Sequence, residues 1–324
     1  MFDFKITDSK PKKQTEGGLY DIVIIGGGPA GLTTAIYTAR DGMKTLILDR
    51  ETTGGLAATT ELIENYPGFP QGISGMDLMD RIRQQAERFG TEIIEFEEVR
   101  AVVPVEEGLI EVHTEGDQVF QGKTVVIATG SEPKKLGIPG EDELYGKGVS
   151  YCATCDGPLF KGKDVVIIGA GNSGLQEGIP VLEYANHVTF LEFLAYSRAE
   201  QILQDRVRAH EKSTLIFNHR VIEIKGERAV TGVSAIDRET NEEKFFPADG
   251  VFIYVGYSPY TAFVRDLVDL NKWGYIQTDE LMRTKVPGLY AIGDVRADNP
   301  AQMTVSVGDG TKAALAIREY LQNL

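Results

Sequence analysis

The feature that most constrains the fold of this chain is a segment that occurs twice. The first copy is Asp21-Ile-Val-Ile-Ile-Gly-Gly-Gly-Pro-Ala-Gly31, and the second is Asp164-Val-Val-Ile-Ile-Gly-Ala-Gly-Asn-Ser-Gly174. The two copies agree at seven of eleven positions. Each begins with a β-branched run typical of a buried parallel strand and ends in Gly-x-Gly-x-x-Gly.

The residues after each copy repeat as well. Helical stretches at 29–40 and 173–184 lead to strands at 44–49 and 187–192, and an acidic residue, Asp49 or Glu192, lies eighteen positions after the third glycine. Such glycines permit a tight turn, bring backbone amides close to a pyrophosphate and let the helix pack on the strand, while the acid accepts hydrogen bonds from a ribose. The alternative is that the glycines serve only tight packing, and it stays more open for the second copy. The pattern predicts an α/β fold with two Rossmann-like dinucleotide-binding (FAD/NAD(P)-binding) domains.

The order of these elements predicts that the second domain is inserted in the first. We expect an N-terminal tail at 1–19, an FAD-binding domain at 20–132 and 257–324, and a pyridine-nucleotide-type domain at 133–256. The proline-containing stretches 131–140 and 256–259 are predicted linkers. An amphipathic helix over about 305–321 is expected to close the first domain.

Charge and hydropathy exclude several classes of function. The formal net charge of −15 argues against nucleic-acid binding, which needs concentrated Lys and Arg. The sequence contains no run of eighteen apolar residues, so no membrane span is predicted. Its polar, Lys-rich start does not resemble a secretory signal. We therefore expect a cytoplasmic protein without a membrane partner.

The chain contains two cysteines, Cys152 and Cys155, separated by two residues. In a reducing compartment such a pair is redox-active or binds a metal rather than acting as a structural staple. Half of a zinc site would need two further ligands, and none of the four histidines has ligand spacing, so no metal is predicted. Asp156 is placed to move a proton during thiol–disulfide exchange; alternatively it is a turn residue before Gly157-Pro158.

These motifs together resemble the low-molecular-weight thioredoxin reductase family over residues 20–324. They are Gly26-Gly-Gly-Pro-Ala-Gly31, Glu64-Asn-Tyr-Pro-Gly68, Ala128-Thr-Gly130, Cys152-Ala-Thr-Cys-Asp156, Gly169-Ala-Gly-Asn172 and Gly293-Asp-Val295. The resemblance implies a homodimer that binds FAD in the first domain, and a second domain that rotates to show its disulfide alternately to the flavin and to a thioredoxin-like protein. It further implies that Cys155 faces the flavin and that Cys152 attacks the disulfide of the partner.

The glycine fingerprint and the resemblance together give a set of candidate FAD-binding residues. They are Gly26, Gly28, Pro29, Ala30, Gly31, Asp49, Gly54, Gly55, Asn65, Ala128, Thr129, Gly130, Gly293, Asp294, Gln302 and Met303. Two neighbouring positions depart from the family pattern, because Leu56 stands where Gln is usual and Ala301 where Arg is usual.

A possible second nucleotide site follows from the second glycine motif. Its candidate residues are Gly169, Gly171, Asn172, Ser173, Gly174 and Glu192. Relatives that use NADPH carry His-Arg-Arg where this chain has Glu192-Phe-Leu194, with only Arg198 nearby. A carboxylate repels the 2′-phosphate of NADPH, so this donor is disfavoured.

Two electron donors remain. Glu192 suits the ribose of NADH, whereas a vestigial site would suit a protein donor, as in the ferredoxin-dependent flavin thioredoxin reductases that this chain resembles in lacking the NADPH motifs. Pro180 is expected to kink the helix that would carry the pyrophosphate, and ferredoxin is slightly favoured. Docking of an acidic ferredoxin would need a basic surface, for which the candidates are Lys134, Lys135, Lys161 and Lys163.

Two other functional classes are open to this sequence. One is an FAD-dependent NADH oxidase or a component of a peroxide-reducing system, which would also use a flavin and thiols. The other is a flavoprotein that only binds or senses, and the intact Cys-x-x-Cys-Asp argues against it.

Overall fold

The computed structural model describes residues 14–324, and these form two compact units. Unit 1 consists of the described part of Met1–Ala58 together with Glu64–Ser131 and Pro259–Leu324. Unit 2 consists of Thr59–Ile63 and Glu132–Ser258. The short segment Thr59–Ile63 therefore packs with unit 2, although the predicted boundaries assign it to the first domain.

Unit 1 is built on a seven-stranded sheet with the order β3-β2-β1-β6-β5-β4, in which β17 also pairs with β6. The pairs β3–β2, β2–β1, β1–β6 and β6–β17 are parallel, whereas β5 is antiparallel to both β4 and β6. The strands are β1 Gln14–Ile25, β2 Thr45–Leu48, β3 Glu92–Ile94, β4 Val99–Glu106, β5 Leu109–Thr114, β6 Val119–Ile127 and β17 Leu289–Ala291. The β-branched residues Ile22–Ile25 and Val125–Ile127 are buried at its centre, as a parallel sheet covered on both faces requires.

The helices of unit 1 cover this sheet. They are α1 Pro29–Arg40, α2 Gly55–Ala58, α3 Gly75–Arg88 and α7 Met303–Gln322, with short 3₁₀ turns at Ala262–Val264 and Gly293–Val295. Helix α7 packs closely on α1 at Gly310. A Cβ atom at this position would lie only 2.5 Å from the Ala30 carbonyl oxygen, so glycine permits the close approach. None of the helices within 14–324 combines the length and apolarity needed to cross a bilayer.

Unit 2 contains a five-stranded parallel sheet with the order β11-β10-β9-β15-β8 and an antiparallel sheet of β12, β13 and β14. The strands are β8 Val149–Ser150, β9 Asp164–Ile168, β10 His187–Leu191, β11 Ser213–Ile216, β12 His219–Gly226, β13 Val230–Asp237, β14 Glu243–Pro247 and β15 Gly250–Ile253. The helices are α4 Ala153–Asp156, a 3₁₀ turn at Gly157–Phe160, α5 Asn172–Tyr184 and α6 Gln201–Ala209.

The observed elements agree closely with the predicted α/β fold around both glycine motifs. Helix α1 has the predicted bounds, α5 and β10 differ from prediction by one residue at one end, and β2 is one residue shorter at each end. Helix α7 is longer than expected, since it begins at Met303.

Two further expectations differ from the structure. Strand β1 begins at Gln14 and pairs with β6, so residues 14–19 belong to a strand rather than to the predicted tail, whose residues 1–13 lie outside the described part. The predicted linkers contain paired strands, β7 Ser131–Pro133 and β16 Tyr257–Pro259. Pro180 lies inside α5, which continues past it to Tyr184, and Gly178 packs on Ile167 and Phe190 of the sheet.

The third glycine of each motif lies against the first. A Cβ atom on Gly31 would come within 2.0 Å of the Gly26 carbonyl oxygen, and one on Gly174 within 2.0 Å of the Gly169 carbonyl oxygen. Real Cβ atoms do not tolerate such contacts with backbone. The sequence therefore needs glycine here so that each helix can begin directly above its strand.

We expect Gly174→Ala to lower the free energy of unfolding by about 1–3 kcal/mol, because the new methyl group forces α5 away from β9. Gly171→Ala is the matched control, since Gly171 has open space around it and an extended backbone with φ −79°. Urea unfolding followed by circular dichroism measures both variants. Equal destabilisation by the two substitutions would contradict this account.

Candidate functional site

The first glycine loop connects β1 to α1, and no side chain caps the first-turn amides of that helix. Gly28 is the N-cap residue, and Pro29 occupies the first turn. The space next to Gly28 is open, whereas Gly26, at φ +105°, lies against the Ala128 carbonyl after β6. The first-turn amides, including those of Ala30 and Gly31, can therefore donate hydrogen bonds to an anionic phosphate.

Asp49 lies at the carboxyl end of β2, beside this loop. Its Oδ2 accepts a hydrogen bond from Gly27 N at 2.6 Å, and its Oδ1 accepts one from Glu51 N at 2.9 Å. Burial raises the pKa of the Asp49 carboxyl group, and the two amide bonds oppose that rise. The carboxylate is thus fixed at the edge of the glycine loop, where a ribose would lie.

A second loop, Gly54-Gly55, approaches the first. Gly54 N donates to the Gly27 carbonyl at 2.9 Å, and a Cβ atom on Gly55 would lie 3.4 Å from the Gly28 Cα atom. Both residues have positive φ. Thr53 holds the loop by donating its amide and hydroxyl to Glu95 Oε1 at 2.7 and 3.1 Å.

The segment Gly293-Asp294 lies close to the start of α1. A Cβ atom on Gly293, which has φ +70°, would come within 3.0 Å of the Ala30 Cβ atom. The Asp294 carboxylate accepts a hydrogen bond from Ser306 Oγ at 3.0 Å, and its burial raises its pKa.

A buried ion pair supports this segment. Asp309 accepts hydrogen bonds from Gly293 N at 3.2 Å and from Arg296 Nε at 3.0 Å, and only 5% of its side chain is exposed. Neither residue was predicted from the sequence, because Arg296 and Asp309 lie outside the family motifs.

The remaining candidate residues also lie within unit 1. Asn65 Nδ2 donates to Gln302 Oε1 at 3.4 Å, and Met303 begins α7 directly after Gln302. Thr129 donates to the Tyr260 carbonyl at 2.8 Å, while the Gly130 carbonyl accepts from Tyr260 N at 3.3 Å. Four of the segments, at Gly26, Asp49, Ala128 and Gly293, follow parallel strands, so they meet at one edge of the sheet. An open phosphate cradle with a carboxylate at each side fits a dinucleotide such as FAD.

The second glycine loop repeats this geometry in unit 2. Gly171 is the N-cap residue of α5, no side chain caps the helix, and Asn172 and Ser173 lie in its first turn. Glu192 Oε2 accepts from Ala170 N at 2.7 Å and its Oε1 accepts from Leu194 N at 2.9 Å. Glu192 therefore has the same two kinds of partner as Asp49 in unit 1.

The surroundings of Glu192 contain one cation that sequence reasoning missed. Arg238, which directly follows β13, lies with its guanidinium carbon 3.9 Å from the centroid of the Phe193 ring and donates to the Phe193 carbonyl at 2.8 Å. The predicted triplet Glu192-Phe-Leu194 offers no cation itself. No local pattern indicates Arg238, because it lies 45 residues from Phe193 in the chain.

The two cysteines form a disulfide with their Cα atoms 5.3 Å apart. Cys152 is the N-cap residue of α4, and its Sγ accepts a hydrogen bond from Cys155 N at 3.1 Å. Cys155 is exposed, whereas Cys152 is partly buried and its amide donates to Ser150 Oγ at 3.0 Å. After reduction, the Cys155 amide would stabilise a thiolate on Cys152.

Asp156 follows directly, and its amide donates to the Cys152 carbonyl at 3.1 Å. Within the described residues no hydrogen bond engages its carboxylate, which leaves that group available for proton exchange. The described part of the chain holds no cluster of His, Cys, Asp and Glu suited to a metal ion.

Two side chains that are distant in the sequence accept hydrogen bonds from the cysteine turn. Tyr254 Oη accepts a hydrogen bond from Ala153 N at 2.8 Å, and Glu177 Oε2 accepts one from Thr154 Oγ1 at 3.0 Å. Burial raises the pKa of Glu177 to about 7. No local sequence pattern indicates either residue, because Tyr254 lies 101 residues from Ala153 and Glu177 lies 23 residues from Thr154.

Two dinucleotide folds, one with a phosphate cradle and the other with a disulfide in a Cys-x-x-Cys turn, define an FAD-dependent disulfide oxidoreductase. A family model described as pyridine nucleotide-disulphide oxidoreductase matches residues 20–310, and the chain belongs to this family. It is 41% identical to a thioredoxin reductase from Bacillus subtilis over 96% of this chain and 97% of that protein.

Solved structures agree with this assignment. The chain is similar to a thioredoxin reductase from Lactococcus lactis, with 39% identity, a TM-score of 0.91 and coverage of 94% of this chain and 100% of that one. A ferredoxin-flavin thioredoxin reductase from Clostridium acetobutylicum is more distant, with 29% identity, a TM-score of 0.52 and coverage of 94% and 99%. The resemblance to thioredoxin reductases is confirmed, whereas membership of the ferredoxin-dependent branch is not.

The raised pKa of Glu177 predicts a pH-dependent stability. In the folded state the pKa of Glu177 is about 7, whereas in the unfolded chain this carboxyl group has its ordinary pKa of 4.5. Stability therefore falls as the pH rises through this window. Relative to Glu177→Gln, we expect the wild type to lose about 1–2 kcal/mol of unfolding free energy between pH 5.5 and pH 8.

Urea unfolding at several pH values measures this difference. Glu183→Gln on the same helix is the matched control, because Glu183 is exposed and its charge should not alter the pH profile. Parallel pH profiles for the wild type and Glu177→Gln would refute the prediction.

Proposed function

We propose that the chain passes electrons from FAD through the Cys152–Cys155 disulfide to thioredoxin or a similar protein. The observation that carries this proposal is the disulfide turn itself, in which Cys155 is exposed and its amide points at the Cys152 sulfur. The resemblance further supports a homodimer, and the polar N-terminal sequence supports a cytoplasmic location.

FAD, when bound, supplies a carrier that accepts and releases two electrons. In this proposal the first-turn amides of α1, including those of Ala30 and Gly31, bind the pyrophosphate, and Asp49 accepts hydrogen bonds from the adenosine ribose. Asp294 suits the hydroxyl groups of the ribityl chain, because an ionised carboxylate only accepts hydrogen bonds. Asn65, Gln302 and the Gly54-Gly55 loop would complete the pocket from its other side.

The exchange with the partner follows from the asymmetry of the turn. The Cys152 thiolate attacks one sulfur of the partner disulfide, so that a Cys152–partner bond forms while the other partner sulfur leaves and takes a proton from Asp156 or water. Cys155 then attacks Cys152, which restores the Cys152–Cys155 bond and releases the second partner sulfur. The net result is one oxidised turn and one reduced partner.

We propose a protein donor of the ferredoxin type rather than NADPH. Glu192 occupies the position of the first residue of the His-Arg-Arg triplet of NADPH-using relatives, and Arg238 stacks on Phe193 and donates to the carbonyl of that residue. Of the basic residues considered for docking, Lys134 and Lys161 are exposed, Lys135 is paired with Asp142 at 2.7 Å, and Lys163 lies over the Phe160 ring.

NADH is the second candidate donor. The observation that favours it is the geometry of Glu192, whose two amide bonds match those of Asp49. A ribose without a phosphate would meet the same carboxylate arrangement in both units.

Replacement of Cys155 by Ser should leave FAD bound and reduce turnover with a thioredoxin by about 100-fold or more, because Cys152 can no longer be resolved. Flavin absorbance of the purified variant and a thioredoxin-coupled assay measure the two effects. Thr154→Ser, which keeps the hydroxyl between the cysteines, serves as the control. Retained turnover in Cys155→Ser would remove this residue from the mechanism.

Anaerobic titration separates the donors. We expect reduced ferredoxin to bleach the flavin absorbance and NADPH to leave it unchanged, since the cations that bind a 2′-phosphate are missing. Rapid bleaching by NADH would replace the ferredoxin proposal by the NADH alternative. Bleaching by NADPH at micromolar concentration would overturn the argument from Glu192.

A further inference from the structure

The Cys-Ala-Thr-Cys turn is tied to a buried carboxyl group that the exchange chemistry does not use. Thr154, between the two cysteines, donates its hydroxyl to Glu177 Oε2 at 3.0 Å. Glu177 lies in α5, so this bond joins the redox turn to the helix that begins at the second glycine motif. Thr60 adds a further hydrogen bond to the same carboxyl group.

The groups that face Glu177 do not neutralise it. Tyr254 follows β15, Tyr184 ends α5, and Glu61 belongs to the segment Thr59–Ile63 of the same unit. Burial raises the pKa of Tyr184 to about 12 and raises that of Tyr254 further, so both phenols stay neutral at physiological pH. Glu61 adds negative charge, and among the described residues no cation contributes to the shift at Glu177.

We propose that Glu177 is a positioning residue of the redox turn, which acts through Thr154 and makes the disulfide–dithiol equilibrium depend on its own charge. When Glu177 is neutral, the reduced turn forms a thiolate without opposition from this side. When Glu177 is ionised, its negative charge disfavours a second negative charge, the thiolate, in the turn that is hydrogen-bonded to it through Thr154. The reduced state is then less stable relative to the disulfide.

The proposal rests on the proposed function in one respect, namely that the Cys152–Cys155 pair cycles between disulfide and dithiol. The test therefore uses a small dithiol, dithiothreitol, and needs neither an electron donor nor a thioredoxin. In this reaction the Cys152–Cys155 bond breaks, the disulfide bond of cyclic dithiothreitol forms, and the two protons of the reagent pass to the protein thiols or to solvent. A wrong assignment of donor or partner leaves this measurement unaffected.

The experiment compares the wild-type protein, with FAD bound, and Glu177→Gln in dithiothreitol redox buffers at pH 5.5 and pH 8.5. Acid quenching, alkylation and mass spectrometry give the fraction reduced. At pH 5.5, where Glu177 is neutral, we expect the two proteins to have equal equilibrium constants for reduction of the disulfide. At pH 8.5 we expect this constant to be about 3- to 10-fold larger for Glu177→Gln than for the wild type. Glu183→Gln, which removes an exposed charge from the same helix, should match the wild type at both values.

The difference in pH dependence separates this role from a purely structural one. A structural effect of Glu177→Gln would shift the equilibrium equally at pH 5.5 and pH 8.5, and that outcome overturns the proposal. An unchanged equilibrium at both pH values overturns it as well.

A second variant keeps the test valid if Glu177→Gln does not fold. Thr154→Val keeps the carboxyl group and removes the hydroxyl that stabilises its ionised form. In the wild type, the equilibrium should begin to move toward the disulfide at the pH where Glu177 starts to ionise. In Thr154→Val we expect this onset at a higher pH, because the carboxyl group then ionises at a higher pH. An onset at the wild-type pH contradicts the proposed link through Thr154.

Discussion

The close approach between the first and third glycines of each motif determines where each helix begins on its strand. At 2.0 Å from a carbonyl oxygen, no Cβ atom fits at Gly31 or Gly174. This approach lets a helix start directly at the end of a strand and leaves its first amides without side-chain caps. The acid at the end of the next strand, Asp49 or Glu192, is then held beside the glycine loop.

The acids themselves help to hold the glycine loops. Asp49 and Glu192 each accept one hydrogen bond from an amide of the loop and one from an amide two residues further on. The same carboxylate that would serve a ribose therefore stabilises the loop without any ligand. This double role explains how unit 2 can keep a complete fingerprint although its sequence lacks the cations for a 2′-phosphate, and it means that the fingerprint alone does not identify the donor.

The sequence predicted those parts of the fold and site that depend on near neighbours. The bounds of α1 follow from the glycine turn and Pro29, and the cysteine pair from its own spacing. Contacts that join distant residues were not predictable in the same way: Tyr254 lies 101 residues after Ala153, and Arg238 lies 45 residues after Phe193. The strands at 131–133 and 257–259 were also missed, because their prolines indicate linkers while two short segments can still pair with each other.

The short helix α4 makes the two cysteines unequal. In a Cys-x-x-Cys turn only the first sulfur can accept the amide three residues later, and Cys155 N meets Cys152 Sγ at 3.1 Å. That hydrogen bond acts directly on one sulfur, whereas the Glu177 carboxyl group contacts the turn through its hydrogen bond with Thr154. The amide favours a thiolate at Cys152 and the ionised carboxylate opposes any thiolate in the turn. A backbone amide carries no titratable charge, so in the proposed mechanism the preference for Cys152 as the attacking sulfur does not depend on the charge of Glu177, whereas the ease of forming its thiolate does.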